Sequence, residues 1–224
     1  MMTQSPQLNS PYWTPEAIWE GETVFVIGGG PSLQGFDWTP FHDRRVLGIN
    51  DAFKLGVWVD ACIWGDNRWY EVYKEELLAF PRMKISVQTT RPTGDPSVKW
   101  IRRRPLGLFT GPRIGWNWST GGAAINVALK MGAKNVVLLG YDMKQGPKGE
   151  RNWHRNDIDT IPLDYKEDPE GKTSLDLFRE GFERIAKDLP DMYPGCKVLN
   201  AGPDSALNCF ERVVYTLPRV EQVA

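Results

Sequence analysis

His154 is the residue in this chain best suited to moving a proton near neutral pH, because imidazole alone titrates there without special tuning. It stands beside Trp153 in a polar stretch beyond Tyr141-Asp142. The only other histidine, His42, lies in the polar turn Phe41-His42-Asp43, too far away in sequence to form a zinc-ligand pair with it. From spacing alone, a lone loop histidine is more often a plain surface residue, and that alternative stays open. Anion binding is the second chemistry to consider. Gly28-Gly29-Gly30-Pro31-Ser32 ends an apolar run, where glycines permit a tight turn and a close backbone approach to phosphate. It is neither a GxGxxG fingerprint nor a Walker A loop, because Pro31 and Ser32 break the first spacing and no Gly-Lys-Ser/Thr follows. A strand-to-helix turn without ligand needs the same glycines. Ser119-Thr120-Gly121-Gly122 offers an N-cap serine and free helical amides, either a second anion site or a cap alone. Asp142 suits a ribose hydroxyl, a metal or an acceptor, and equally a structural turn. Arg102-Arg103-Arg104, preceded by Lys99 and Trp100, suits diphosphate or a nucleic-acid backbone, or a solvated edge.

These residues need elements to hold them. Val24-Phe25-Val26-Ile27, Arg45-Val46-Leu47-Gly48-Ile49, Ala61-Cys62-Ile63-Trp64 and Asn135-Val136-Val137-Leu138-Leu139 are continuous apolar runs, the mark of strands buried on both faces. Lys84-Ile85-Ser86-Val87 and Lys197-Val198-Leu199 are shorter examples. Helical periodicity falls between them over 68–80, over 120–131 with Gly132 as its C′ residue, and over 174–189 up to Pro190. Asp204 or Ser205 is placed to cap a final helix from Ala206. Alternating strands and helices predict an α/β, Rossmann-like, mostly parallel sheet with helices on both faces. The expected organisation is an N-terminal extension over 1–22 and a single nucleotide-binding domain over 23–217. Long, lid-like loop insertions are expected at 89–118 and 144–173. In such a sheet, ligands bind outside the carboxyl ends of the strands. The strand exits are polar: Gly28 to Ser32, Asn50-Asp51, Asp66-Asn67, Asp142 and Asn200. They should converge on one rim.

Composition sets the outer bounds. With 41% hydrophobic and 25% charged residues, the 224-residue chain is globular rather than disordered. The net charge of −1 gives no bulk argument for a nucleic-acid or membrane partner. Cys62, Cys196 and Cys209 form no CxxC pair, which points to a reducing compartment and no structural zinc. No apolar run reaches the ~20 residues of a membrane span, so a cytoplasmic protein is expected. Tryptophan is in excess at 10 residues. Trp64, Trp69, Trp116, Trp118 and Trp153 all adjoin the candidate site segments, where stacking on a sugar or base would use them.

Taken in order, Val24 to Leu33, Gly48-Ile49-Asn50-Asp51, Ser119-Thr120-Gly121, Leu139-Gly140-Tyr141-Asp142 and Trp153-His154 resemble the superfamily of family 42 sialyltransferases. They also resemble the related MptE-like proteins, which include archaeal 6-hydroxymethylpterin diphosphokinases and occur as phage and bacterial branches. The resemblance spans roughly residues 23 to 210. It implies a glycosyltransferase that moves a sugar from a nucleotide-linked donor of unknown base to an acceptor hydroxyl on a glycan, protein or nucleic acid. No metal is implied, and a homo-oligomer is possible. The resemblance implies that Gly30 and Ser32 sit at the donor phosphate and nucleotide, that Asn50 contacts the donor, and that Ser119, Thr120 and Gly121 hold base or ribose. Together with the strand exits, the candidate donor and nucleotide residues are Gly28, Gly29, Gly30, Pro31, Ser32, Asn50, Asp51, Asp66, Ser119, Thr120, Gly121 and Asp142. His154 is the implied catalytic base, and Tyr141 and Tyr165 are candidates to assist phosphate departure. The MptE-like alternative is a pyrophosphokinase using ATP and Mg²⁺, with Asp66 and Asp142 placing the ion. A non-catalytic protein binding nucleotide or single-stranded nucleic acid, with the arginine run and tryptophans stacking on bases, is the third possibility.

Overall fold

Apolar runs without polar interruption become strands that helices cover on both sides. The computed structural model describes residues 11–90, 94–154 and 171–214. From the middle of the sheet to one edge run β1 (Thr23–Ile27), β2 (Arg45–Ile49), β3 (Ala61–Trp64), β4 (Met83–Ser86) and β5 (Val98–Trp100). The strands β6 (Arg102–Arg104) and β7 (Arg113–Gly115) form a separate parallel pair. On the other side of β1 lie β8 (Asn135–Leu139), β9 (Lys197–Asn200) and β10 (Glu211–Arg212). The order of the 8-stranded sheet is β10-β9-β8-β1-β2-β3-β4-β5. Every pairing in it is parallel. The fold is therefore α/β and Rossmann-like, as the alternating pattern predicts. The direction of growth reverses between β1 and β8, and that switch point is where a parallel sheet opens a crevice for ligands.

The period-2 side-chain alternation of a strand divides the core in two. Val24 and Val26 join one cluster with Ala123, Ala124 and Val127 of α2 (Thr120–Lys130) and Phe182 and Ile185 of α3 (Ser174–Met192). Phe25 and Ile27 join the other, with Trp69, Tyr70, Tyr73 and Leu77 of α1 (Asn67–Ala79). Small residues on α2 let it lie close to the strands. The aromatic face of α1 fills the wider space opposite. Trp64 is fully buried there, with its ring stacked on Tyr70 at 5.6 Å.

Four features differ from expectation. The stretch 89–118 is not irregular throughout: β5 extends the main sheet and β6 pairs with β7. Because alternate strand residues face opposite sides, Arg102-Arg103-Arg104 does not form one basic patch. Arg102 stacks over Tyr12, whereas the half-buried Arg103 stacks on Trp116 at 4.0 Å. The helix expected from Ala206 is absent. Ser205 Oγ donates to the Tyr141 carbonyl at 2.6 Å and Ala206 N–H donates to the Asp142 carbonyl at 2.8 Å, so this segment braces the exit of β8. Finally, α3 continues past Pro190 to Met192, where the missing amide costs one hydrogen bond in the last turn. Before β1, Trp19 is buried in the core and donates its N–H to the Met131 carbonyl at 2.7 Å. No described helix is long and apolar enough to cross a membrane.

Candidate functional site

Four of the five strand exits converge; the fifth, Asn200, is fully buried, donating to the Leu207 carbonyl at 2.9 Å and accepting from Gly202 N–H at 3.0 Å. At the switch point a cleft of about 400 Å³ is lined by Gly28, Gly29, Gly30, Pro31, Asn50, Asp66, Ser119, Thr120, Gly121, Asp142 and His154. Two of the expected residues, Ser32 and Asp51, stand behind its wall. Residues from separate strands thus meet because a parallel sheet puts all its carboxyl ends on one side.

The glycine-rich loop spends most of its amides internally. Gly28 N–H donates to the Leu139 carbonyl and Gly30 N–H to the Gly140 carbonyl, each at 2.8 Å. Ser32 donates through N–H (2.7 Å) and Oγ (2.6 Å) to the two carboxylate oxygens of Asp142. Asp142, which is 4% exposed, therefore clamps the loop to β8. The glycines are required by the protein itself. A Cβ on Gly30 would stand 2.6 Å from both the Asp142 carboxyl carbon and the Gly140 carbonyl oxygen. The loop is a close-approach surface, not a nest of free amides.

Free amides are found instead at α2. Ser119 caps this helix by accepting from Gly122 N–H at 2.9 Å, and Ala123 N–H bonds the Ser119 carbonyl. The amides of Thr120 and Gly121 in the first turn have no acceptor among the described residues, and both residues line the cleft. Replacing Ser119 with alanine is expected to cost about 1 kcal/mol and to lower the melting temperature by about 2–4 °C, measurable by calorimetry. Ahead of the cap, Asn117 and Trp118 adopt left-handed φ of 50° and 60°. The fully buried Asn117 side chain holds this turn by exchanging two hydrogen bonds with the backbone of Gly107 (2.8 and 3.2 Å). Trp118 remains 39% exposed at the cleft, beside Trp116.

His154 reaches the cleft on a strap. Trp153 donates its backbone N–H to the Gly29 carbonyl (3.0 Å) and its indole N–H to the Gly28 carbonyl (2.8 Å), docking the strap on the glycine loop. His154 Nε2 then lies on the Gly29 side, 4.0 Å from where a Cβ on that glycine would stand. Its Nδ1 lies 3.7 Å from Asp51 Oδ2. Asn50, just before Asp51, has a φ of 51°, a conformation asparagine tolerates. Its Oδ1 is buried on the cleft wall with no hydrogen-bond partner among the described residues.

Several residues have roles that local sequence reading did not find. Trp69 lines the cleft and holds Asp51 through its indole N–H at 2.5 Å. Ser174, Leu175, Phe178 and Phe182 of α3 form a wall, while Lys144 and Arg151 bring positive charge to the rim. Their proximity depends on packing between distant segments, for which the sequence holds no local signal. Tyr141 is buried, and its hydroxyl donates to the Gly121 carbonyl at 3.1 Å. Burial pushes its phenol far up, so it is protonated at all ordinary pH values. Tyr165 lies outside the described residues. Asp66 caps α1, accepting from Arg68 N–H (2.7 Å) and Trp69 N–H (3.4 Å). Its other oxygen, Oδ2, lies 3.7 Å from Arg68 Nη2, whereas both carboxylate oxygens of Asp142 are taken by Ser32. Among the described residues there is no group of three or more His, Cys, Asp or Glu that could hold a metal ion.

No protein-family model and no curated protein matches the chain. Solved structures with the same fold do exist. One is the sialyltransferase CstII from Campylobacter jejuni in complex with cytidine-5'-monophosphate, with a TM-score of 0.53 at 14% identity over 87% of this chain and 85% of that one. Another is the monofunctional alpha-2,3-sialyltransferase Cst-I from Campylobacter jejuni, at 0.52 and 17% over 85% and 79%. A variant of CST-II in complex with CMP gives 0.54 and 14% over 88% of each chain. At these identities the likeness establishes a shared Rossmann-like fold.

Proposed function

We propose that this protein is a nucleotide-sugar-dependent glycosyltransferase with a sialyltransferase-like fold, in which His154 is the general base. The observation that carries this reading is the position of His154, strapped over Gly28 and Gly29 inside the switch-point cleft. The acceptor hydroxyl oxygen attacks the anomeric carbon of the donor sugar and gives its proton to His154 Nε2. The bond from that carbon to the phosphate oxygen breaks, and the departing nucleotide takes the bonding electrons. The Thr120 and Gly121 amides at the positive end of α2 face the phosphate charge, helped by Lys144 and Arg151 at the rim. Asn50 accepts a hydrogen bond from the donor, and the glycine loop lets the nucleotide lie against the backbone. Likeness in fold to CMP-bound sialyltransferases supports a nucleotide-linked donor.

Thermal-shift measurements with CMP-, UDP-, GDP- and ADP-linked sugars, and with ATP with and without Mg²⁺, test this function. At a hundredfold excess over Kd the true donor should stabilise the fold by about 2.7 kcal/mol, roughly 5–10 °C in melting temperature. Stabilisation by ATP with Mg²⁺ alone would replace this reading with an MptE-like pyrophosphokinase.

A further inference from the structure

We propose that Asp51 is the positioning carboxylate for His154 and not a ligand of the donor; the inference rests on His154 as the base. The left-handed turn at Asn50 separates the two residues that follow β2. Asn50 lines the cleft, whereas the Asp51 side chain turns under it and is only 3% exposed. A carboxylate in such a place needs partners to offset its lost hydration. Asp51 has them: Oδ1 accepts the Trp69 indole N–H at 2.5 Å, and Oδ2 lies 3.6 Å from Lys54 Nζ and 3.7 Å from His154 Nδ1. With Oδ1 fixed by α1, Oδ2 faces the imidazole. That arrangement favours the tautomer with its proton on Nδ1, which leaves the Nε2 lone pair toward the cleft. It also stabilises the imidazolium formed once Nε2 takes a proton.

The other charges around this pair set the direction of each test. Lys54 opposes protonation of His154, and its own charge is shared with Glu76 at 3.5 Å and the Tyr73 ring at 3.7 Å. Cys62, packed beside Asp51, is a neutral thiol, pushed up chiefly by burial. Asp66, Asp142, Lys144 and Arg151 are the remaining charged groups of the cleft among the described residues.

Only two histidines are present, so in a His42→Gln background the His154 imidazole can be followed alone by NMR, without any substrate. In Asp51→Asn its titration should move to lower pH, and the Nδ1-protonated tautomer should lose population. In Lys54→Met, which removes the cation beside Asp51, the titration should move to higher pH. Once a donor and acceptor are known, kcat of Asp51→Asn should fall about 10- to 100-fold, with the donor KM nearly unchanged and partial rescue by Asp51→Glu. A His154 titration unmoved in Asp51→Asn would overturn the proposal, whatever Lys54→Met shows. So would a loss confined to donor KM, which would make Asp51 a donor ligand. Should Asp51→Asn fail to fold, the tautomer of the unsubstituted His154 decides: a neutral imidazole protonated chiefly on Nε2 would overturn the proposal. Failure of the glycosyltransferase reading would appear instead as no nucleotide-sugar turnover while both titrations shift as stated.

Discussion

Replacing His154 with alanine is expected to reduce sugar transfer by about 10²- to 10⁴-fold, the usual contribution of a general base. Nucleotide binding should survive. The strap that carries His154 is held through the backbone and indole of Trp153 on the Gly28 and Gly29 carbonyls, and neither bond involves the imidazole. The Trp153 ring loses one edge contact at 4.7 Å, which leaves its docking in place. The low-pH limb of the rate profile should vanish in the variant, since it reports protonation of the base. Rate measurements with saturating donor, together with the thermal shift caused by the nucleotide, check both halves. Unchanged turnover would remove His154 from the mechanism and leave the cleft without a proton acceptor among the residues proposed.

The second large effect is expected at Gly30. Alanine there would place a methyl group 2.6 Å from a backbone carbonyl and from the carboxyl carbon of Asp142. Neither neighbour can yield cheaply: the carbonyl belongs to the turn leaving β8, and the carboxylate is held by both donors of Ser32. Overpacking of this kind costs about 1–3 kcal/mol, and relief requires opening the loop away from β8. Gly30→Ala should therefore melt several degrees lower and lose stabilisation by any nucleotide. Gly111→Ala is the matched control, because nothing stands within 4 Å of its added Cβ and its φ is ordinary. It should be neutral or slightly stabilising, by about 0.4–1 kcal/mol at most. A Gly30 variant that keeps its melting temperature and its nucleotide response would show that the Ser32–Asp142 clamp does not shape the cleft.

These two positions show how much of the site is legible in the chain. Gly30 reads from sequence as a phosphate-loop glycine, and the position does line the cleft, but the close approach it permits is first to Asp142 and Gly140. The Thr120 and Gly121 amides read as a possible anion site, and they have no acceptor among the described residues. Trp118 and Trp64 are alike in composition and both adjoin site segments. One is 39% exposed at the cleft, and the other is fully buried against Tyr70. The arginine run reads as a patch and is divided by strand alternation, a consequence of the β6–β7 pairing that Pro- and Gly-rich surroundings conceal.

By itself the sequence determined the α/β alternation, the principal buried strands, the Ser119 cap and four of the five polar exits that share one rim. Each follows from interactions within a few residues: apolar continuity, helical period, a side chain reaching its own next turn. Tertiary structure alone decided which backbone amides are already spent, that Asp142 grips a serine 110 residues away, and that Asp51 stands behind His154 and not in the cleft. Hydrogen bonding and desolvation decide such roles. Both are set by neighbours that only folding brings within reach.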